Sequence, residues 1–209
     1  MRSHLLQSFM ADTVDRNDRS NGYDAIAHHF IGARNQNIGG TTVREWSTSL
    51  PRGASILDLG CGFGEPISRV LIEEGFTVFG VDASPRLVDA FRSRFPNVAV
   101  ECATVEESTF FDRQFDAVVA WGLIFLLPEE AQTLLIQKVA SALHPGGRFL
   151  FTAQKTPVRW EDSLTDRVSI SLGREAYCSL LEAAGLTLTG EASDEGENAY
   201  YFASKGTSK

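Results

Sequence analysis

The feature that most constrains the fold is an apolar run that leads straight into a glycine-rich loop. The run 56–59 contains a single charged side chain, and glycine then follows as Gly60, Gly62 and Gly64. Glycine adopts positive φ without strain, and its missing Cβ lets a ligand lie directly on the backbone. The segment therefore predicts a buried strand followed by a tight turn that forms one wall of a ligand site. Such a loop alone is also consistent with a turn that is needed only for packing.

Strands and helices alternate along most of the chain. Short apolar runs predict strands, and longer segments of helical periodicity predict helices. The predicted strands are 55–60, 77–82, 98–102, 115–121, 148–153, 186–192 and 198–204, and the predicted helices are 65–74, 85–95, 129–143 and 174–184. This order is typical of a parallel sheet covered by helices, and the last two strands predict an antiparallel hairpin at its edge.

Composition narrows the range of partners. The 209 residues carry a formal net charge of −8, which repels nucleic-acid phosphates, and no basic stripe offsets it. The three cysteines, Cys61, Cys102 and Cys178, show no paired spacing for zinc or a redox pair. No run fits a signal peptide or a membrane span. We therefore expect a soluble, cytoplasmic protein with reduced thiols and no metal, nucleic-acid or membrane partner, while the oligomeric state stays open.

A carboxylate stands at the tip of the strand that follows the glycine loop. Asp82 comes about twenty residues after the glycines, where it would reach the two hydroxyls of a ribose. A role limited to capping the helix at Pro85 is the alternative. The dinucleotide pattern G-x-G-x-x-G would need glycine at position 65, but the chain has Glu65, whose charge opposes a pyrophosphate at a helix N-terminus. The site therefore favours a nucleoside ligand without phosphate.

Several segments match one protein family when they are taken in order. Asp58 and the three glycines have the form acid-x-G-x-G-x-G, and in this the chain resembles the class I, Rossmann-like S-adenosylmethionine-dependent methyltransferases, in particular small stand-alone bacterial members. Asp82 matches the ribose-binding acid of that family, 115–121 its fourth strand and 143–148 the turn before its fifth. The resemblance covers roughly residues 53–153. It implies an α/β three-layer sandwich whose mostly parallel seven-stranded sheet has the order 3-2-1-4-5-7-6, with the last strand antiparallel.

The resemblance also implies a cofactor and the residues that hold it. S-adenosyl-L-methionine would be the methyl donor and S-adenosyl-L-homocysteine the product. The expected cofactor-binding residues are Asp58, Gly60, Cys61, Gly62, Gly64, Asp82, Ala83, Thr104, Val105, Ala120 and Trp121. Thr104 departs from the Asp that the family commonly has beside the adenine. Trp121 is expected either to line the methionine end of the pocket or to belong to the core. Cys61 is expected only to fill space within the loop.

The acceptor side is predicted less closely. The segment 23–30 resembles the N-terminal cover helix of the family, and Tyr23, Phe30 and Arg34 would lie nearest the ligand. The alternative is that they are exposed side chains of this helix. Trp160 is the expected substrate-facing residue of an irregular segment, although it could instead anchor that segment to the core. His28 and His29 are either candidates for a general base or a surface pair on a helix.

The expected domain organisation follows from the same resemblance. Residues 1–20 would form a flexible tail, with Met1 and Met10 both open as the start, and 21–209 a single methyltransferase domain. Within the domain we expect cover helices over 21–50, a cofactor-binding core over 53–153, a substrate-side loop over 154–173, and a helix and hairpin over 174–209.

Three functions remain open at this point. The first is in-line methyl transfer to a small-molecule acceptor through oxygen, nitrogen or sulfur. The second is a non-catalytic module that binds S-adenosylmethionine, and the third is a nicotinamide-dependent oxidoreductase, against which Glu65 argues.

Overall fold

The computed structural model describes residues 18–35 and 37–207, so the expected tail lies outside the described residues up to position 17. The helices are α1 (Ala27–Ala33), α2 (Gly40–Ser47), α3 (Ile67–Glu73), α4 (Pro85–Arg94), α5 (Glu129–Ala142) and α6 (Arg174–Ala183). The strands are β1 (Ser55–Leu59), β2 (Thr77–Asp82), β3 (Ala99–Cys102), β4 (Phe115–Ala120), β5 (Leu143–Thr152), β6 (Val158–Glu161), β7 (Val168–Ser171), β8 (Leu186–Ser193) and β9 (Ala199–Lys205).

A seven-stranded sheet forms the middle layer. Its order is β3-β2-β1-β4-β5-β9-β8, and β1 to β5 run parallel while β9 is antiparallel to β5 and β8. Hydrophobic clusters cover both faces: one includes buried residues of α5 and α6, and the other includes those of α2 and α3. The predicted fold class and the predicted strand order are confirmed, since β8 and β9 are the sixth and seventh strands of the prediction.

Local sequence signals account for the element boundaries. All five residues of β1 are buried, as an apolar run between two neighbouring strands requires. Helix α4 begins at Pro85 because Ser84 caps it, accepting the Leu87 backbone N–H at 3.2 Å. Every predicted strand except the fifth lies within one residue of its observed bounds.

Two segments differ from the prediction. The fifth strand begins at Leu143 rather than at 148, because Leu143 pairs with Phe115 before the register shifts in the region of the predicted turn. The segment 154–173 is not irregular: β6 and β7 pair as a small antiparallel hairpin. Alternating side chains explain the hairpin, since Ser169 and Ser171 are buried while Val168 is exposed.

The topology brings several loops to one edge of the sheet. Strands β1, β2 and β4 are parallel neighbours, so their carboxyl ends, followed by Gly60, Asp82 and Trp121, meet at the same edge. Between residues 18 and 207, no helix of the described chain combines the length and the apolar character needed to cross a bilayer.

Candidate functional site

A cavity of about 300 Å³ lies at the carboxyl edge of the sheet. The glycine loop, the tip of β2, the loop after β3, the loop after β4 and the N-terminal segment 18–34 all contribute to its wall. Its lining comprises Asp18, Arg19, Ser20, Asn21, Tyr23, Phe30, Arg34, Asp58, Gly60, Cys61, Gly62, Phe63, Glu65, Ile67, Val81, Asp82, Ala83, Leu87, Ala103, Thr104, Val105, Glu106, Trp121, Gly122, Leu123, Leu126, Leu127 and Pro128.

The three glycines of the loop have different roles. All three have positive φ, at 69° for Gly60, 54° for Gly62 and 88° for Gly64. A Cβ at Gly62 would meet only the Phe30 ring, 3.9 Å away, so this position opens onto the cavity. A Cβ at Gly64 would lie 2.4 Å from the Phe95 ring, and Gly64 does not line the cavity. Glycine is therefore needed at position 64 for packing against α4, whereas Gly62 leaves room for a ligand.

Asp82 is held rigidly between two loops. One carboxylate oxygen accepts the Gly62 backbone N–H at 2.8 Å, and the other accepts the Ser84 backbone N–H at 2.8 Å. Burial raises the pKa of Asp82, while these two backbone bonds oppose the shift. Each oxygen retains a lone-pair direction that can accept a further hydrogen bond.

Asp58 forms a second acidic group in the cavity. Its carboxylate accepts the Ser68 hydroxyl at 2.6 Å, and Ser68 belongs to the first turn of α3. Burial raises the pKa of Asp58 to about 7, with Asp82 adding to the shift and the Ser68 bond opposing it. With a pKa of about 7, Asp58 is partly ionised at neutral pH, and together with Asp82 it gives the cavity a negative potential that suits a cationic ligand.

Cys61 lines the cavity with a neutral thiol. Its Sγ faces the backbone of β2, since a Cβ placed on Gly80 would lie 2.8 Å from that sulfur. Burial raises the pKa of the Cys61 thiol well above its ordinary value, and the charges of Asp82 and Asp58 add to the effect. The position therefore favours the expected space-filling role over nucleophilic chemistry.

Arg34 extends from the end of α1 across the aromatic wall. Its guanidinium lies 4.3 Å from the centre of the Trp121 ring and 5.3 Å from that of Phe30. Trp121 is fixed from behind, because its indole N–H donates to the Tyr200 hydroxyl at 2.7 Å. Burial lowers the pKa of Arg34, and no carboxylate of the described chain forms a salt bridge with it. This cation is therefore available to an anionic group of a ligand.

The N-terminal segment closes over the cavity through contacts with three other loops. Asp24 accepts the Ser84 hydroxyl at 2.7 Å and the Arg86 backbone N–H at 2.9 Å. The Tyr23 hydroxyl donates to Asp162, 3.2 Å away on the turn between β6 and β7. A third contact is the ion pair between Arg19 and Glu107. Residues 18–34 thus lie over the cavity, and the part before α1 is made of turns rather than helix.

Most other predicted site residues also face the cavity. Ala83, Thr104 and Val105 line it, and Thr104 uses its side chain to accept the Glu107 backbone N–H at 3.2 Å. Ala120 does not line it; its side chain belongs to the core, and the next lining residues after β4 are Trp121 and Gly122.

Trp160 and the histidine pair lie apart from the cavity lining. Trp160 is half-buried on β6 and packs against Phe125, with 5.4 Å between the ring centres. This contact fits the alternative in which Trp160 anchors its segment. His28 and His29 are both exposed on α1, as expected for a surface pair.

Sequence reasoning missed the apolar side of the cavity. Leu123, Leu126, Leu127 and Pro128 follow β4 and line the cavity around a short 3₁₀ turn, Ile124–Leu126. An apolar run directly after a buried strand was the available signal, but periodicity alone does not separate it from a continuation of the core. The contribution of residues 18–21 to the cavity lining was also missed. Their position depends on how the chain folds back over the sheet, which no local pattern indicates.

A family model described as a methyltransferase domain matches residues 56–147. The solved structure of an S-adenosylmethionine-dependent methyltransferase from Clostridium acetobutylicum superposes with a TM-score of 0.69 at 14% identity, covering 88% of this chain and 99% of that one. The glycine loop, Asp82 and β4 all fall within the matched segment. The predicted resemblance is therefore confirmed.

Sequence relatives differ in the acceptors that their names give. The ubiquinone biosynthesis O-methyltransferase of Xanthomonas axonopodis pv. citri is 34% identical over 113 residues, 51% of this chain and 46% of the relative. The tRNA (carboxymethyluridine(34)-5-O)-methyltransferase alkbh8 of Xenopus tropicalis is 29% identical over 142 residues, 67% of this chain but 21% of the relative. The chain thus spans less than half the length of each of these two relatives.

Proposed function

We propose that the chain transfers a methyl group from S-adenosyl-L-methionine to a small-molecule acceptor, leaving S-adenosyl-L-homocysteine, because residues 56–147 match a family model described as a methyltransferase domain. One observation carries the proposal: the Asp82 carboxylate is held by Gly62 and Ser84 with one lone-pair direction free on each oxygen. The geometry suits the two hydroxyls of a ribose beside an open glycine backbone.

The charges along the cavity fit the rest of this cofactor. Arg34, stacked on Trp121, offers a guanidinium to the methionine carboxylate. Asp58 also lines the cavity, and its carboxylate favours a positively charged ligand. The sulfonium and ammonium groups of the cofactor are both cationic. The loop 103–106 would border the adenine. The charged groups that line the cavity are therefore complementary in sign to the charged groups of the cofactor.

The same charges argue against a nicotinamide dinucleotide. Glu65 is 5% exposed and forms ion pairs with Arg69 at 2.5 Å and with Arg94 at 3.5 Å, one turn or less from the start of α3. This is the place where a pyrophosphate would bind in a dinucleotide site. Position 65 carries this carboxylate instead of the glycine that the dinucleotide pattern requires, which argues against a pyrophosphate there.

When bound, S-adenosyl-L-methionine supplies a methyl carbon that its sulfonium already activates. The chain has to align an acceptor atom behind that carbon and to exclude water, and such positioning contributes effective molarities of roughly 10⁵ M or more. Leu123, Leu126 and Leu127 form an apolar wall that excludes water. Tyr23 holds its proton, because burial raises the pKa of its hydroxyl far above neutrality, with Asp162 adding to the shift.

A small acceptor fits this cavity better than a polynucleotide. The cover formed by residues 18–34 contributes to the cavity wall and is fastened to Ser84, Arg86 and Asp162. The net charge of −8 also repels phosphate backbones. The alternative acceptor, a tRNA nucleotide, is raised by the names of three relatives, one tRNA methyltransferase and two tRNA U34 carboxymethyltransferases.

Parallel calorimetric titrations test the proposal. The purified chain is titrated with S-adenosyl-L-methionine, S-adenosyl-L-homocysteine and NAD, and we expect binding of the first two but not of NAD. Incubation with a panel of small phenols, amines, thiols and carboxylates, with S-adenosyl-L-homocysteine release followed by mass spectrometry, then separates an enzyme from a non-catalytic binding module. Binding of NAD alone would contradict the proposed cofactor, and preferential methylation of unmodified tRNA would contradict the acceptor class.

A further inference from the structure

We propose that Lys138 is a positioning residue whose ammonium group fixes the backbone loop that borders the adenine. The inference rests on the proposed function, because it assigns a task within the same cofactor site. Lys138 lies on α5 and does not line the cavity. It acts through residues 105–108, which lie between the helix and the ligand.

The Lys138 ammonium group uses all three of its N–H donors on this loop. Nζ donates to the backbone carbonyls of Val105 at 2.6 Å, Glu106 at 3.0 Å and Ser108 at 2.8 Å. It also lies 4.6 Å from the centre of the Phe110 ring. Val105 and Ser108 are buried, so their carbonyls would be costly to leave unpaired. One side chain thus donates hydrogen bonds to three carbonyls that accept none from within the loop.

The same loop forms part of the cavity wall. Ala103, Thr104, Val105 and Glu106 line the cavity on one side, while Lys138 approaches from the other. The backbone turn is closed by bonds from the Glu107 and Ser108 N–H groups to the Thr104 carbonyl, at 3.2 and 2.9 Å. A change in the direction of the Val105 and Glu106 carbonyls would rotate the neighbouring peptide planes. It would therefore change the shape offered to the adenine.

A strained turn directly after the loop makes this fastening necessary. Phe110, Phe111 and Asp112 have φ of 54°, 59° and 50°, three consecutive left-handed residues without a glycine. Positive φ is unfavourable for a residue that carries a Cβ, and it persists only where surrounding contacts hold it. Lys138 contacts both sides of the point where this turn begins, through the Ser108 carbonyl and the Phe110 ring. Without it, the strain would be free to relax through the loop.

The charges around Lys138 do not offer it a competing strong partner. Among the described residues it forms no salt bridge, and Glu106 and Glu101 act on it only at a distance. Burial lowers its pKa, while these two carboxylates oppose the shift. The backbone carbonyls are therefore its principal partners, as they would be for a bound cation.

Substitution of Lys138→Met tests the inference, because methionine keeps the aliphatic stem and removes the three donors. The matched control is Lys205→Met: Nζ of Lys205 donates to the carbonyls of Ala140 at 2.7 Å and Leu143 at 2.8 Å, near the end of the same helix, and does not line the cavity. We expect K138M to weaken S-adenosyl-L-homocysteine binding by about tenfold, and K205M to leave it unchanged although it also loses carbonyl bonds.

A second measurement separates positioning from general loss of stability. The ratio of affinities for S-adenosyl-L-homocysteine and its hypoxanthine analogue S-inosyl-L-homocysteine reports on the shape of the base pocket. We expect the K138M substitution to bring this affinity ratio closer to one. We expect K205M to leave the ratio unchanged. Lys138→Arg keeps the charge, but the planar guanidinium is not suited to three convergent carbonyls, so we expect a smaller change in the affinity ratio. This variant tests the inference even if K138M fails to fold.

The outcomes distinguish this inference from the proposed function. A wild-type chain that fails to bind S-adenosyl-L-homocysteine would contradict the proposed function itself. If the wild-type chain binds S-adenosyl-L-homocysteine and the folded Lys138 variants keep the wild-type affinity ratio, only the role of Lys138 is contradicted.

Discussion

Replacing Asp82 by alanine is the most direct perturbation of the site. The carboxylate accepts the Gly62 and Ser84 backbone N–H groups, each at 2.8 Å, and offers one further acceptor direction on each oxygen. With a ribose in the site, Asp82→Ala removes two hydrogen bonds to the ligand. It also removes the link between the glycine loop and the start of α4.

The magnitude follows from these bonds. A net contribution of about 0.5–1.5 kcal/mol for each hydrogen bond gives about 1–3 kcal/mol for the two ribose bonds. This free energy corresponds to a decrease in affinity of about 5- to 150-fold. The two N–H groups left without the carboxylate lower the free energy of unfolding as well, so binding and stability have to be measured separately.

Calorimetric titration with S-adenosyl-L-homocysteine measures the affinity, and urea unfolding measures the stability. The matched control is Asp116→Ala, because Asp116 accepts the Ser55 backbone N–H at 2.8 Å and its hydroxyl at 2.9 Å near the start of β4, away from the cavity. We expect the control to lose stability while keeping its affinity. A folded Asp82→Ala protein that binds as tightly as the wild type would refute the ribose role.

Three further predictions concern the same cavity. Gly62→Val should abolish S-adenosyl-L-homocysteine binding in titrations, because its side chain would occupy space that only the Phe30 ring borders, and measurable binding would contradict this geometry. Arg34→Met should weaken S-adenosyl-L-homocysteine binding by about tenfold but leave adenosine binding unchanged, and an equal loss for both ligands would argue against a carboxylate partner. The pKa of Asp58 is raised to about 7 in the folded state, so between about pH 4 and 7 the folded state binds a proton that the unfolded state lacks. The free energy of unfolding should therefore fall as pH rises through this window, and Asp58→Asn should reduce that fall in urea titrations; an identical pH slope would contradict the assignment.

Much of the fold was predictable because its signals are local. The buried run of β1, the cap at Ser84 and the alternation of strands with helices depend on residues that are neighbours in sequence. The hairpin of β6 and β7 was missed because each strand has only four residues and because burial in β7 reverses the usual pattern, with Ser169 and Ser171 buried and Val168 exposed.

Residue type and local pattern were enough to predict the glycine loop and the carboxylate at the tip of β2, because glycine tolerates positive φ and the alternation of strands and helices places both at one sheet edge. Only the tertiary structure separated Gly62, which opens onto the cavity, from Gly64, which packs against Phe95. It also decided that Arg34 lies on Trp121 and that Lys138 holds the loop after β3. These contacts join residues far apart in the chain, and a local pattern carries no information about which distant side chains will meet.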